Sequence, residues 1–392
     1  MAEAFIVAAT RTAGGRRNGR LSGWHPADLA AQVLNALVER TGVDPALIED
    51  VILGCVSQAG EQSTNVARNA VLASRLPESV PGTSVDRQCG SSQQALHFAA
   101  QAVMSGTMDV VIAAGVESMS RVPMGMPQWL PQKNGMGSYI GPAIQKRYPG
   151  VEFSQFDGAE AIARKYGMTK TQLDEFALGS HRRAAAALRD GAFNAEILPV
   201  EVRVAQVDPT GEMHVADEGV RANATLEGIA GVKLITEGGM CTAASASQIC
   251  DGASGVMVVN ERGLKALGVE PLARVHHMSV LGHDPVVMLE APIPATQRAL
   301  RKAGLKIEDI DLYEVNEAFA PIPLAWLQAL EADPQRLNVN GGAIALGHPL
   351  GATGTKLMTT LVHALRQRNK RYGLQTMCEG GGLANVTIIE RL

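Results

Sequence analysis

Apolar and polar residues come in blocks along this 392-residue chain. Short runs rich in valine, isoleucine and alanine recur, and most lead into a segment with helical spacing. FIVAAT from Phe5, VILGCV from Val51, VVIAAGV from Val110 and VMVVN from Val256 show no alternation. They predict strands covered on both faces. Between them Pro26 opens a predicted helix with Leu29, Val33 and Leu37 on one face, and residues 65–75 predict a second. The stretch after Cys89 is apolar nearly all round (Ala95, Leu96, Phe98, Ala99, Ala102, Val103), which marks a buried helix. Residues 356–367 repeat leucine every fourth position, at Leu357, Leu361 and Leu365, and predict another helix. The basic, glycine-rich stretch 11–20 reads as a solvated loop.

From residue 121 the strand–helix order breaks. Methionines gather at Met124, Met126 and Met136, and amphipathic helices follow in GAEAIARKYG and QLDEFALGSHRRAAAALRD. This predicts a domain inserted at 121–248 and lying over the site, its methionines either lining an apolar tunnel or filling gaps in a core. The first half is then 1–120 with 249–270, and the second is 271–392. The halves read as copies. IEDVILGCV starts at Ile48 and IEDIDLYEV at Ile307, an offset of 307 − 48 = 259, and His348 follows Cys89 by 348 − 89 = 259. Self-similarity of this kind points to a duplicated unit. Packed about a pseudo-twofold axis, the halves would set Cys89 and His348 facing each other.

Composition narrows the class. The chain is 46% hydrophobic and 19% charged, with 41 glycines, as suits a globular α/β enzyme. A net charge of −4 gives no basic field for nucleic acid, and no apolar run reaches the length of a membrane span. The five cysteines (Cys55, Cys89, Cys241, Cys250, Cys378) form no CxxC pattern, so neither a zinc knuckle nor a redox pair is expected. MAEAFIVAATRT reads as a strand and not as a secretory signal, and TIIERL is not a peroxisomal address. A reducing, cytoplasmic location is expected.

The candidate chemistry lies in the turns. His348 sits between glycine clusters in NGGAIALGHPLGATGT, just before a helix, and Cys89 holds the corresponding place in the first half. A lone histidine is also what a satisfied buried polar group looks like, and a cysteine at a crowded turn is often structural. Together, a thiol opposed to an imidazole is the minimum set for covalent acyl chemistry. The helix after Cys89 points its N-terminus at the sulfur, which favours thiolate. Asn316, in NEAFA, reads equally as a helix N-cap or as a holder of water near a developing oxyanion. Gly380, Gly381 and Gly382 free backbone N–H groups to approach a ligand. His276 and His277 are adjacent on a predicted strand, so they face opposite ways and argue against a metal pair.

DRQCGSSQQA around Cys89, VNEAFA around Asn316, NVNGGAIALGHPLGATG around His348 and MCEGGG around Cys378 together resemble the thiolase family, and the resemblance runs from IVAATRT to TIIERL. It implies a five-layer α-β-α-β-α core of two similar halves with an inserted loop domain. It implies reversible, coenzyme A (CoA)-dependent cleavage of a 3-ketoacyl-CoA to acetyl-CoA and a shortened acyl-CoA, or the reverse condensation, with no metal and no permanently bound cofactor. By the same resemblance Cys89 is the nucleophile, His348 takes its proton, and Cys378 moves the proton at the acetyl Cα. One oxyanion hole is His348 with a water on Asn316; the other is the N–H groups of Cys89 and Gly380. CoA would lie along the loop domain near Ser247, Arg221 and Phe319, and the enzyme would be a homodimer or homotetramer paired through the strand at 83–88. Departures from the family are Ser92 and Ala384 in place of frequent glycines, the polar Glu379 and Asn385, and SQFDGAEAIA where acetoacetyl-CoA thiolases tend to carry His-Met-Gly. They resemble the degradative branch, including thiolases of bulky or steroid-like side chains. Two rivals are a decarboxylating condensing enzyme of the β-ketoacyl synthase kind, against which Cys378 speaks, and a non-catalytic acyl-CoA carrier, which would be expected to lose Cys89 or His348.

Overall fold

A computed structural model describes residues 2–206 and 208–392. Its covered strands join edge to edge in the order Leu312–Val315, Tyr372–Glu379, Leu383–Arg391, Ala273–Gly282, Phe5–Thr12, Cys250–Val259, Val110–Ser118, Asp50–Gly54 and Gly82–Val85. The seam between halves lies where Phe5 pairs with Arg274 and Ile6 with Ala273, antiparallel. Outward from that seam each half runs through its strands in one sequence: first, fifth, fourth, second, third. In the second half the third place is held by one parallel bridge, Tyr313 to Leu337.

The duplication is therefore present, but its register differs from the one the IED letters suggest. Helices Ser91–Ser105 and Thr353–Gln367 are equivalent, each of 15 residues, and 353 − 91 = 262. Their neighbours agree: Gly42 and Gly304 cap equivalent helices, and 304 − 42 = 262. The 259 offset is three residues out. Ile307–Asp309 is a 3-10 turn that matches Pro45–Leu47. Each turn has an acidic side chain taking a free backbone N–H, from different positions: Asp44 accepts from Ala46 and Asp309 from Lys306. Cys89 thus precedes its helix by two residues and His348 by five, so the two are three positions out of register and not symmetry mates.

Helices Ser91–Ser105 and Thr353–Gln367 lie between the two halves of the sheet. Ala95, Leu96 and Ala99 pack with Val111 and Val256, and Met358, Leu361 and Leu365 with Leu312 and Ile389, in one apolar cluster. Each buried leucine there contributes roughly 1.5–3 kcal/mol. Helices Pro26–Thr41 and Val66–Ala73 cover the outer face of the first half, while Pro292–Ala303 and Pro321–Leu330 cover the second. The result is five layers, α-β-α-β-α. Helix Ser91–Ser105 differs from its all-apolar reading. Phe98 is 40% exposed, while Ser91, Ser92, Gln93 and His97 are buried. Small and hydrogen-bonding residues suit this position because the two helices nearly touch. A Cβ on Gly354 would lie 2.0 Å from the Gln93 nitrogen. Gln93 Nε2 donates to Gln375 O at 3.2 Å and to Thr387 Oγ1 at 2.8 Å.

The residues between Ser118 and Cys250 form helices Gln155–Lys165 and Lys170–Arg189 and the hairpin Val200–Val204 with Asp208–His214. Ala159, Ile162 and Leu173 pack into the second half's outer cluster. A charge network ties the same segment to the first strand. Arg11, expected in a solvated loop, is fully buried because the strand runs on to Thr12. Its Nε meets Glu196 at 2.6 Å and its Nη1 meets Asp217 at 2.9 Å, with Lys356 Nζ 3.8 Å from Asp217. Burial pushes the Asp217 carboxyl up, but Arg11 and Lys356 outweigh it and hold the group below its usual range. Among the described residues no helix is long and apolar enough to cross a membrane.

Removing one partner from a buried ion pair leaves an uncompensated charge, at a cost of about 3–5 kcal/mol. Asp217→Ala is expected to lower the unfolding free energy by that much, and the urea midpoint with it, since Lys356 loses its counter-charge and Arg11 keeps only Glu196. A midpoint equal to the parent's contradicts this account of the anchor.

Candidate active site

The two reactive turns meet where the central helices begin. Ser92, in a place where the family often has glycine, is buried and accepts from Thr355 N at 3.0 Å. Glu117 ends the strand Val110–Ser118 and gathers four donors: Val56 N at 2.9 Å, Ser57 N at 3.0 Å, Gln62 Nε2 at 2.9 Å and Gly351 N at 2.8 Å. It pins the turn after His348 to the first half of the sheet. Asn316 enters from the second half, its N–H donating to Thr376 O at 3.1 Å, two residues before Cys378.

Cys89 stands just before Gly90, the N-cap of its helix. Gln88 precedes it with φ 49°, a left-handed conformation that costs energy in a residue with a side chain. Asp86 Oδ1 accepts from Gln88 N at 2.7 Å, and Ser91 Oγ accepts from Arg87 N at 2.9 Å; these bonds hold the turn. Cys89 is part-exposed, while the other four cysteines are buried. Desolvation first, and the Glu379 charge second, push the thiol up to about 12, against the smaller pull of the nearby Cys89 and Gly380 backbone N–H groups. The helix N-terminus therefore does not decide the resting state; the Cys89 thiol keeps its proton. Burial also pushes Cys378 up, followed by the charges of Cys89 and Glu379.

His348 is 3% exposed, and its ring bonds fix its tautomer. Thr353 Oγ1 has one proton and lies 2.9 Å from Pro349 O, an acceptor only. It therefore accepts from His348 Nδ1–H at 2.6 Å, leaving Nε2 with a lone pair, 3.3 Å from Asn316 Nδ2. Burial first, and the Lys356 charge second, push the imidazole down to about 3, so the ring rests neutral. Its hydrogen bonds go to Asn316 and Thr353 and not to the Cys89 thiol. Asn316 does not cap a helix, since Ala320 holds that place. Its Oδ1 is buried without a partner among the described residues, an acceptor open to a water or ligand.

Of the residues assigned to CoA, Ser247 and Phe319 come together beside Asn316. Ser247 N donates to Ala318 O at 2.9 Å, Ala246 bridges Phe319, and the Phe319 ring is buried edge-on to Phe156 at 5.7 Å. Arg221 stands apart on the exposed surface, its N–H donating to His181 Nδ1 at 3.2 Å. Three residues of the site escaped the sequence reading. Glu117 was signalled only as a charged residue closing an apolar strand. Thr353 and Lys356 lie in or beside the His348 stretch, but their role is to bond the turn itself: Lys356 Nζ donates to Leu346 O and Gly347 O. Periodicity carries no trace of that.

Comparison with known proteins agrees with this arrangement. The thiolase N-terminal domain model matches residues 4–262 and the thiolase C-terminal domain model residues 269–391. A steroid 3-ketoacyl-CoA thiolase of Mycobacterium tuberculosis is 52% identical over 394 residues, covering 100% of this chain and 95% of that protein. An acetyl-CoA acetyltransferase of Escherichia coli is 40% identical, with both chains covered in full (100% each). The crystal structure of the Bacillus anthracis acetyl-CoA acetyltransferase superposes with a TM-score of 0.91 at 35% identity, covering 100% of this chain and 99% of that one. Two matching halves, full-length relatives and a shared fold lead to one conclusion: the chain belongs to the thiolase family.

Proposed function

We propose that the protein is a 3-ketoacyl-CoA thiolase working through an acyl-Cys89 intermediate, and that its substrates carry side chains bulkier than acetoacetyl. The observation that carries the reading is the packing of the Cys378–Gly380 strand end against the Cys89 turn, where a Cβ on Gly380 would lie 2.9 Å from Gln88 Oε1 and one on Gly90 1.9 Å from Glu379 Oε1. As Cys89 Sγ attacks the ketone carbon, its proton passes to His348 Nε2. The new oxyanion is bound by the Cys89 and Gly380 N–H groups, each worth roughly 3–4 kcal/mol. The Cα–Cβ bond then breaks, and its electron pair becomes the acetyl-CoA enolate. Protonated His348 now donates from Nε2 to the enolate oxygen, with a water held on Asn316 Oδ1 as second donor. Cys378 gives its proton to Cα and acetyl-CoA leaves. CoA thiol loses its proton to the Cys378 thiolate and attacks acyl-Cys89; the shortened acyl-CoA departs and Cys89 recovers its proton from His348.

CoA enters as substrate, and the chemistry asks for no other group. The insertion at 121–248 covers the approach, with Ser247 and Phe319 on the pantetheine path and Arg221 toward the nucleotide end. The preference for bulk is supported by the relative named for steroid substrates and by SQFDGAEAIA in the insertion. A cytoplasmic enzyme is the location that fits free thiols. Assembly as a dimer or tetramer is supported by the edge strand Gly82–Val85, which among the described residues pairs only with Asp50–Gly54.

Three outcomes are expected. The protein cleaves bulky 3-ketoacyl-CoA with a higher kcat/KM than acetoacetyl-CoA, and Cys89→Ala abolishes the reaction while melting as the parent does; thiolysis by Cys89→Ala contradicts the mechanism. Thr353→Val frees the imidazole to place its proton on Nε2 and lowers kcat roughly 10²–10⁴-fold with little change in KM, whereas Thr353→Ser keeps parental kcat. Equal rates in Thr353→Val and parent rule out the tautomer lock. Sedimentation at micromolar concentration shows a dimer or tetramer; a monomer sinks the edge-strand pairing.

A further inference from the structure

The side chain next to Cys378 has no part in the reaction described above, yet it is the group most closely pressed on the nucleophile's turn. Glu379 is the last residue of strand Tyr372–Glu379 and is fully buried. Cys378 faces the outer cluster of the second half. Glu379 faces the other way, into the start of helix Ser91–Ser105: a Cβ on Gly90 would lie 1.9 Å from its Oε1. The carboxyl thus fills the side-chain space of the residue that follows Cys89. Its donors are few. Asn385 offers its backbone N–H and, with its amide turned to face the carboxyl, Nδ2 at 3.0 Å from Oε1, while Asn385 Oδ1 accepts from Gln94 N at 3.2 Å. Oε2 has no partner among the described residues. Glu117, a short distance away, has four donors for the same kind of group. A buried carboxylate that lacks such donors favours its neutral form.

We propose that Glu379 controls the ionisation of Cys89: protonated, it lets the sulfur give up its proton; ionised, it holds both active-site cysteines as thiols. This rests on the reading of Cys89 as nucleophile, and it makes Glu379 a positioning residue acting through charge. The charged and titratable groups that interact with it are Arg87 on the turn before Cys89, Cys89 itself, and Cys378 on its own strand; His97 and His277 interact with Arg87 or each other, and Glu117 and Asp86 act on Cys55. Burial dominates and outweighs the pull of Arg87, so the carboxyl is pushed up from 4.5 to about 8. Its charge in turn raises the thiols of Cys89 and Cys378. The three acids titrate as a coupled set, and the first proton to leave belongs to Glu379. The enzyme then loses activity on the alkaline side, where a simple thiol enzyme gains it.

Iodoacetamide alkylation of the Cys89 peptide, followed by mass spectrometry from pH 6 to 11 on the intact protein, tests this without substrate. In Glu379→Gln the reactivity midpoint of Cys89, which lies above this range in the parent, is expected to fall into it, by roughly 1–2 pH units, the size of a like-charge interaction across a few ångströms. The alkaline fall of kcat/KM near pH 8 in the parent should move up in the same variant. Asn385→Leu, which removes a donor to the charged form, should shift that alkaline fall upward while leaving Glu379 in place. Stability gives a further readout: between pH 4.5 and about 8 the native state binds the Glu379 proton more tightly than the unfolded chain, so stability contributed by this group is lost as pH rises through that window. The melting temperature of the parent should therefore drop relative to Glu379→Gln toward pH 9. Identical alkylation midpoints in parent and Glu379→Gln overturn the proposal, as does an alkaline limb that Asn385→Leu leaves in place. Absence of thiolysis in the parent would count against the enzyme assignment alone, because alkylation reads the sulfur directly.

Discussion

Two helices that start side by side, each buried between sheets, set the geometry of everything else in this protein. Helix Ser91–Ser105 and helix Thr353–Gln367 touch at their first turns, where Gly354 faces Gln93 and Ser92 Oγ takes the Thr355 N–H. That contact leaves no room for a side chain at 354, while Glu379 fills the space at 90. It also brings two connections, one carrying Cys89 and one carrying His348, to the same spot from opposite halves of the sheet. The two turns are then held by contacts that cross the seam: Glu117 of the first half grips Gly351 of the second, and Gly380 of the second packs on Gln88 of the first.

The same enclosed setting explains the balance of charges. Desolvation holds the Cys89 thiol, the Cys378 thiol and the His348 imidazole all neutral at rest. Charge appears only when substrate supplies an oxygen to receive it and N–H groups already stand in place. Burial raises both buried carboxyls nearby, and their donors separate them. Glu117, with four of them, is a clamp. Glu379, short of donors and lodged beneath Gly90, is a titrating group.

Much of this was legible in the sequence, and the limits have physical causes. Covered strands announce themselves by unbroken apolar runs, and turns that precede buried helices announce themselves by glycine, so the elements around Cys89 and His348 were plain. The duplication was visible too, but letter matching placed it at 259 when the helices repeat at 262. An acidic turn before an apolar strand is a common local solution, so its letters slide along the chain more easily than a helix does. Arg11 read as solvated because charge usually is; only the fold brings Glu196 and Asp217 to it from about two hundred residues away. The helix end at Cys89 suggested a thiolate because helix dipoles are local, whereas desolvation and Glu379 are not. Thr353 and Lys356 went unread because they bond carbonyls of their own turn.

The central claim is that two cysteines in one pocket divide the work, Cys89 carrying the acyl group and Cys378 the Cα proton. Cys378→Ala mixed with an acyl-CoA, with one portion quenched for peptide mass spectrometry and another followed in deuterated water, measures both at once. The account predicts an acyl group on the Cys89 peptide and loss of deuterium exchange at the acetyl-CoA methyl group. Acyl transfer to a different residue, or exchange at the parental rate, would contradict it.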